Sequence, residues 1–209
     1  MKGFTLMRRT LVISLAALTL TTAVVAGCGN SGGSSAASGT TKNSSPAKPA
    51  PAESNPAGDI PDDQAYVAYT PAKGGFSVKV PEGWAQTSSG NAVTFTDKLN
   101  RIEVSSVSAP TPPTAGSVTS TVVPTLKKQV PNFSFGRATA VTRPAGKGVL
   151  LTYKGDSAPD PVTGKVVHDA FERYSFHKGG KEVDLTLSGP VGADNVDPWK
   201  IVSDSLRWQ

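Results

Sequence analysis

His168 and His177, the acidic stretches around Asp156 and Asp194, and the single cysteine, Cys28, are the side chains whose types and spacing decide what chemistry this chain can do. The histidines are an odd number of residues apart. A regular strand carrying both points them to opposite faces, so a shared metal is not expected. The first acidic stretch is Asp156-Ser157-Ala158-Pro159-Asp160-Pro161-Val162-Thr163-Gly164. Its two carboxylates and threonine are groups that calcium accepts, but the terminal glutamate of an EF-hand loop is missing. The favoured reading is a proline-stiffened connection between strands, with Gly164 supplying the tight turn. The second stretch, Asp194-Asn195-Val196-Asp197, is read as helix capping, since carboxylates are favoured at a helix N-terminus. Residues 66–209 contain no Gly-x-Ser-x-Gly elbow, and Gly164-Lys165 lacks the upstream glycine of a phosphate loop. The acid and base candidates are scattered. An enzyme is therefore not expected, and no catalytic, metal or cofactor site is read.

Cys28 differs because of what precedes it. Lys2, Arg8 and Arg9 make a basic start, Leu11 to Ala26 is an uncharged apolar run, and Ala26-Gly27 is a small-residue step. This is the layout of a secretory signal. Val25-Ala26-Gly27-Cys28 resembles the lipobox of a bacterial lipoprotein precursor. The resemblance implies removal of residues 1–27 and a diacylglycerol on the Cys28 sulfur. It also implies an exported protein, anchored in the membrane at the outer face of the cell. Met7-Arg8-Arg9 alone would also serve as a start, and the arginine pair leaves twin-arginine export open beside the general route. The competing reading is a permanent membrane helix, since residues 10–27 are uncharged and at the lower edge of spanning length. Ser14, Thr19, Thr21 and Thr22 count against it. So does the lack of a basic stop-transfer cluster, the first charge after Cys28 being Lys42.

Composition sets the remaining bounds. The whole chain carries +5, and removing Lys2, Arg8 and Arg9 leaves +2. A mature chain so close to neutrality has no electrostatic footprint for nucleic acid. Lys127-Lys128, the only adjacent basic pair beyond the signal, reads as a solvated helix face. With no cysteine after Cys28, the folded part has no disulfide and no thiolate, and its stability rests on its core. Residues 28–65 are expected to be the acylated cysteine followed by a disordered tether. Gly29 to Ala65 is Gly/Ser/Ala-rich, then Pro-rich, with Ile60 its only large aliphatic residue. As a flexible coil it would span on the order of 33 Å. Residues 66–209 have a usual single-domain size.

That domain reads as short alternating runs. Phe76-Ser77-Val78-Lys79-Val80 has the period of a half-buried strand and stops at Pro81-Glu82-Gly83. Residues 92–96, 101–107, 133–141 and 148–154 repeat the pattern, as do Val183, Leu185 and Leu187. Val166 to His177 is long, and its inward parity switches between Phe171 and Tyr174, which predicts a bulge. Short links predict a mainly antiparallel sheet. Val118, Val122, Leu126 and Val130 make a helical face that Pro124 should kink or begin and that Pro131 ends. A second helix is expected with Asp197 as N-cap and Pro198 first. Trp199, Val202 and Ile201 are placed toward the sheet, and a short strand over 206–208 follows. Trp84 and Trp199 are predicted to be largely buried, with their indole N–H groups bonded.

Gly75-Phe76-Ser77-Val78-Lys79-Val80-Pro81-Glu82-Gly83-Trp84 resembles the opening strand and Pro-x-Gly-Trp turn of Mog1/PsbP-like domains. The closing run from Trp199 to Trp208 is similar to their last helix and strand. With the lipobox and tether, the whole resembles actinobacterial envelope lipoproteins of the LpqN/LpqT type. The resemblance implies an α+β fold, a mainly antiparallel sheet packed between helices as an α/β/α sandwich. It implies a non-catalytic accessory module that binds a protein or another envelope component. The alternative is a carrier holding a lipid or other amphipathic small ligand between sheet and helix.

Overall fold

The computed structural model describes residues 57–72, 74–160 and 163–209. Val25, Ala26, Gly27 and Cys28, the signal region and the tether up to residue 56 lie outside the described residues. Among the described residues no helix is long and apolar enough to cross a membrane.

Period-two patterning becomes strand wherever it was read. A small sheet holds β1 (Tyr66–Tyr69), β2 (Phe76–Pro81) and β10 (Arg207–Trp208) in the order β1-β2-β10. The main sheet has seven strands. They are β3 (Ala85–Ser89), β4 (Ala92–Asp97), β5 (Asn100–Ser108), β6 (Ser134–Arg143), β7 (Gly146–Asp156), β8 (His168–Lys178) and β9 (Lys181–Pro190). Their order is β3-β4-β5-β9-β8-β7-β6, and every pair is antiparallel.

Both faces of this sheet are covered. On one face Phe95, Ile102, Val104, Val183, Leu185, Leu187, Phe176 and Tyr174 pack under β2 and under Val202 of α3 (Val196–Asp204). Each such side chain contributes about 1.5–3 kcal/mol by leaving water. On the other face Val149, Leu151 and Tyr153 of β7 and Phe171 of β8 pack under Val118, Val122, Val123 and Leu126. The predicted helical face thus has its sheet, and the domain is α+β with the sheet between helical layers.

Two-sided burial explains the parity switch in β8, and the expected bulge there is not found. The register of β8 with β7 and β9 runs unbroken from His168 to Lys178. Phe171 and Tyr174 simply serve opposite cores. The bulge is on β6, between Phe135 and Arg137. Gly136 sits there because a Cβ would lie 2.5 Å from the Thr152 hydroxyl.

The helical layer runs over residues 115–129 as α1 (Ala115–Ser117), a π-helical turn (Val118–Val122) and α2 (Val123–Gln129). Thr114 and Ser117 cap its start reciprocally. Pro124 acts as expected, and its effect is the π turn rather than a break. A proline ring clashes with the carbonyl four residues back. Here Val123 N–H instead donates five residues back, to Val118 O.

Two boundaries differ from expectation. α3 begins at Val196 with Asn195 in the N-cap position, so Asp197 does not cap and Pro198 is third in the helix. Proline is tolerated there because the first four N–H groups of a helix have no partner within it. Ile201 is exposed, while Val202 and Ser203 are the buried pair. The second difference lies in residues 57–65, which are docked. Ile60 is buried, and its N–H donates to Asn195 Oδ1 at 2.8 Å. Gly58 O accepts from Asn100 Nδ2 and Asn195 Nδ2, at 2.8 and 2.9 Å. The ordered domain therefore starts before Tyr66. The one large aliphatic residue of the tether is what pins it.

Candidate functional site

One end of the main sheet holds a groove of about 890 Å³. Five separate segments line it: the turn between β4 and β5 with its flanking residues, the end of α2 through Pro131, residues 156–160 with Thr163, Lys165 and Val167, the first residues of β8, and Ser188 of β9. Val130, Pro131, Val167 and Phe171 give it apolar walls; Lys98, Arg101 and Lys165 are its cations; Asp156, Asp160 and Asp169 are its carboxylates.

Most of these charges are already engaged. Arg101 reaches Glu103 at 2.6 Å and Thr94 Oγ1 at 3.2 Å. Lys98 lies 3.9 Å from Asp97. His168 Nδ1 and Asp156 Oδ1 are 2.8 Å apart, and Asn132 Nδ2 donates to Asp156 Oδ2 at 2.6 Å. The bond with His168, and next the one from Asn132, hold the Asp156 carboxyl below its ordinary value. Asp160 Oδ1 accepts from the backbone N–H and the hydroxyl of Thr163. Asp160 thus closes a turn to Thr163, while Asp156 is held by His168 and Asn132 outside the loop.

Asp169 is the exception. It is 5% exposed, and its Oδ1 is buried without a hydrogen-bond partner. Register explains the isolation. Across β8, Asp169 stands opposite Gly155 of β7 and Pro190 of β9. Glycine has no side chain and the proline ring carries no donor, so neither neighbour supplies a side-chain donor. Burial pushes the Asp169 carboxyl up to about 6, opposed by His168 and assisted by Asp156.

Two other polar clusters are closed. Arg173 Nη2 lies 2.7 Å from Asp184 Oδ2, and Ser175 Oγ donates to Asp184 Oδ1. Ser175, His177 and Asp184 share one sheet face, a grouping not anticipated from the sequence. The signal was Ser175-x-His177 at strand spacing, with Asp184 opposite Ser175. It forms no relay: the His177 Nε2 bonds with Ala109 O at 2.9 Å, and Ser175 is buried. On the other face Tyr174 donates to Glu172 at 2.7 Å and accepts from Arg143. Burial first, then Glu172, raises the Tyr174 pKa.

The histidines sit at opposite ends of β8, so the structure does not bring them together. Among the described residues no three His, Cys, Asp or Glu side chains gather to hold a metal. Lys127 and Lys128 lie on the exposed last turn of α2. Trp84 and Trp199 pack partly buried against the core. The indole with a carbonyl partner is that of Trp208, which donates to Ala145 O at 2.9 Å.

No family model matches the chain, and no curated protein matches it. Solved structures do. The solution structure of cyanobacterial PsbP (CyanoP) from Synechocystis is 19% identical with a TM-score of 0.50, over 70% of this chain and 94% of that one. A crystal structure from Bacteroides thetaiotaomicron is 13% identical with a TM-score of 0.42, over 65% of this chain. This chain spans only 45% of that protein. A Pseudomonas aeruginosa protein of unknown function is 14% identical with a TM-score of 0.41, over 65% of this chain and 91% of that one. The CyanoP likeness bears on fold alone. By that likeness, the antiparallel sheet with its helical layers has an α+β fold similar to that of PsbP.

Proposed function

We propose that this is a lipid-anchored lipoprotein of the cell envelope, of the LpqN/LpqT type, whose exported domain is a non-catalytic accessory module that binds a protein or envelope component. Anchoring rests on the Val25-Ala26-Gly27-Cys28 pattern behind its apolar run. Binding rests on one observation: the groove keeps a buried carboxylate without a partner, while Asp156, Asp160 and Arg101 beside it are bonded within the fold. A PsbP-like domain is a scaffold on which sites are built, so the groove and not the fold carries the argument.

A second reading is favoured by where the groove lies. It opens between the sheet and the end of the helix and has the size of a small-molecule site. This fits a carrier of an amphipathic ligand. Two measurements test the proposal. Intact-mass analysis of the mature protein should show diacylglycerol on Cys28; an unmodified secreted product would end the anchoring claim. Cross-linking of the acylated protein in intact cells, with cross-linker placed at Lys98 or Lys165, should capture one recurrent partner. Capture of a partner only through distant lysines would move the binding site elsewhere.

A further inference from the structure

We infer that the groove receives an aliphatic ammonium: a chain of several carbons lying along Phe171, Val130 and Val167, with its charged nitrogen bonded to Asp169. The inference deepens the binding reading and rests on it for the choice of groove. Three observations carry it. First, Asp169 is more than nine-tenths buried, lines the groove, and has an oxygen with no donor in reach. A buried acceptor left unmade is costly, so a site that retains one is built for an incoming donor. Second, the cations that share the groove are poorly placed to serve. Arg101 is held by Glu103 and Thr94, and Lys98 sits beside Asp97. Lys165 is exposed at the rim. Third, the apolar lining accepts a hydrocarbon stem but offers its ends different company. Gln129, Val130 and Pro131 bring the C-terminal end of the helix into the groove wall. The last carbonyls of a helix carry partial negative charge, which favours a cation and opposes an anion. Charge and shape together select a positively charged, hydrogen-bond-donating head on an apolar stem. A lysine side chain of a partner protein and a free alkylamine share this chemistry.

The test uses the exported chain with Cys28→Ala, which removes the acyl group and lets binding be followed in water without detergent. The probes are n-hexylammonium, n-hexanol, hexanoate and the capped peptide acetyl-Gly-Lys-Gly-amide. Binding is read from the backbone amide shifts of Val130, Asp169 and Phe171 during titration. Hexylammonium is expected to bind about tenfold or more tightly than hexanol and hexanoate, since only its head makes a charge-assisted bond. Asp169→Asn should erase that preference. Lys165→Gln, which removes a like charge from the rim, should leave hexylammonium binding intact or strengthen it. Matching shifts with the peptide identify a partner's lysine as the source; shifts with hexylammonium alone identify a free amine. The inference is overturned if the three heads bind equally or not at all, if Asp169→Asn keeps the preference, or if Lys165→Gln abolishes it. A recurrent partner cross-linked at the groove in cells would survive that failure, so the inference can fall while the binding module stands.

Discussion

Asp169→Asn keeps the shape of a buried side chain and removes its charge, and the structure fixes the sign of the result. In the folded chain burial pushes this carboxyl from its ordinary 3.8 up to about 6. A raised acid pKa means that the folded state binds the proton more tightly than the unfolded one. The stabilisation from the protonated acid is therefore complete below about pH 4 and is lost as pH rises through 6. Above pH 7 the chain holds a buried carboxylate without a partner. A difference of about two units at 1.36 kcal/mol each makes this on the order of 3 kcal/mol, an upper figure because water reaching the groove reduces it. Asparagine is neutral throughout and is spared this penalty. The variant should therefore melt several degrees above the wild type at pH 7.5, at about 2–4 °C per kcal/mol for a domain of this size. The gap should close near pH 4. The charged groups around Asp169 are His168, Asp156, Asp160, Lys98, Arg101 and Lys165; His168 opposes the upward shift and Asp156 adds to it, both less than burial does. Calorimetry of both proteins at the two pH values decides it. A variant no more stable at pH 7.5, or equally favoured at both, would refute the reasoning from burial.

Further outcomes follow from other parts of the molecule. Asn195→Ala removes bonds to Ile60 N, Gly58 O and Asn100 Oδ1 in a buried site. It should cost about 2–4 kcal/mol by denaturant unfolding and make residues 57–65 open to proteolysis before the rest. Trp84→Ala and Trp199→Ala, being partly buried, should each cost about 1–2 kcal/mol, below the 3–5 kcal/mol of a fully buried tryptophan. A wild-type melting temperature for either would mark that indole as a surface group. Gly136→Val should lower stability by several kcal/mol, because its Cβ would strike Thr152 across the bulge. Cys28→Ala should move the protein from the membrane fraction to the medium, measured by fractionation and blotting.

The strands were legible because alternating apolar residues mark an inward face, as Phe76, Val78 and Val80 do in β2 and Ile102 and Val104 do in β5. What misled was a strand buried on both sides. In β8 Phe171 points to the helix and Tyr174 to α3 and β2, and a single sequence cannot separate that from a bulge. α3 was legible as a helix but not in its start. Asn195 looks like a cap and occupies the cap position, yet its side chain is bonded to residues 58 and 60 and caps nothing. That commitment is a long-range contact, invisible to local pattern.

The groove was legible least, for a physical reason. The sequence drew attention to Asp156 and Asp160, carboxylates clustered along the chain, and folding gives both partners, Asp160 within its own turn and Asp156 from His168 and Asn132. Asp169 carries no local signal, since His168-Asp169-Ala170 is an ordinary strand opening. Its character comes from three facts of register and packing. It shares a sheet face with Phe171, it stands opposite a glycine and a proline, and the end of α2 lines the same groove. A carboxylate lacking a partner because of its strand neighbours is a property of pairing, so it appears only once the sheet is assembled. The same argument says where a change would tell most. Gly155→Ser would set a hydroxyl beside Asp169, but a Cβ there lies 2.2 Å from Val130 Cγ1, so that repair is sterically closed. The fold leaves Asp169 to be satisfied from outside the chain, and the alkylamine titration asks whether it is.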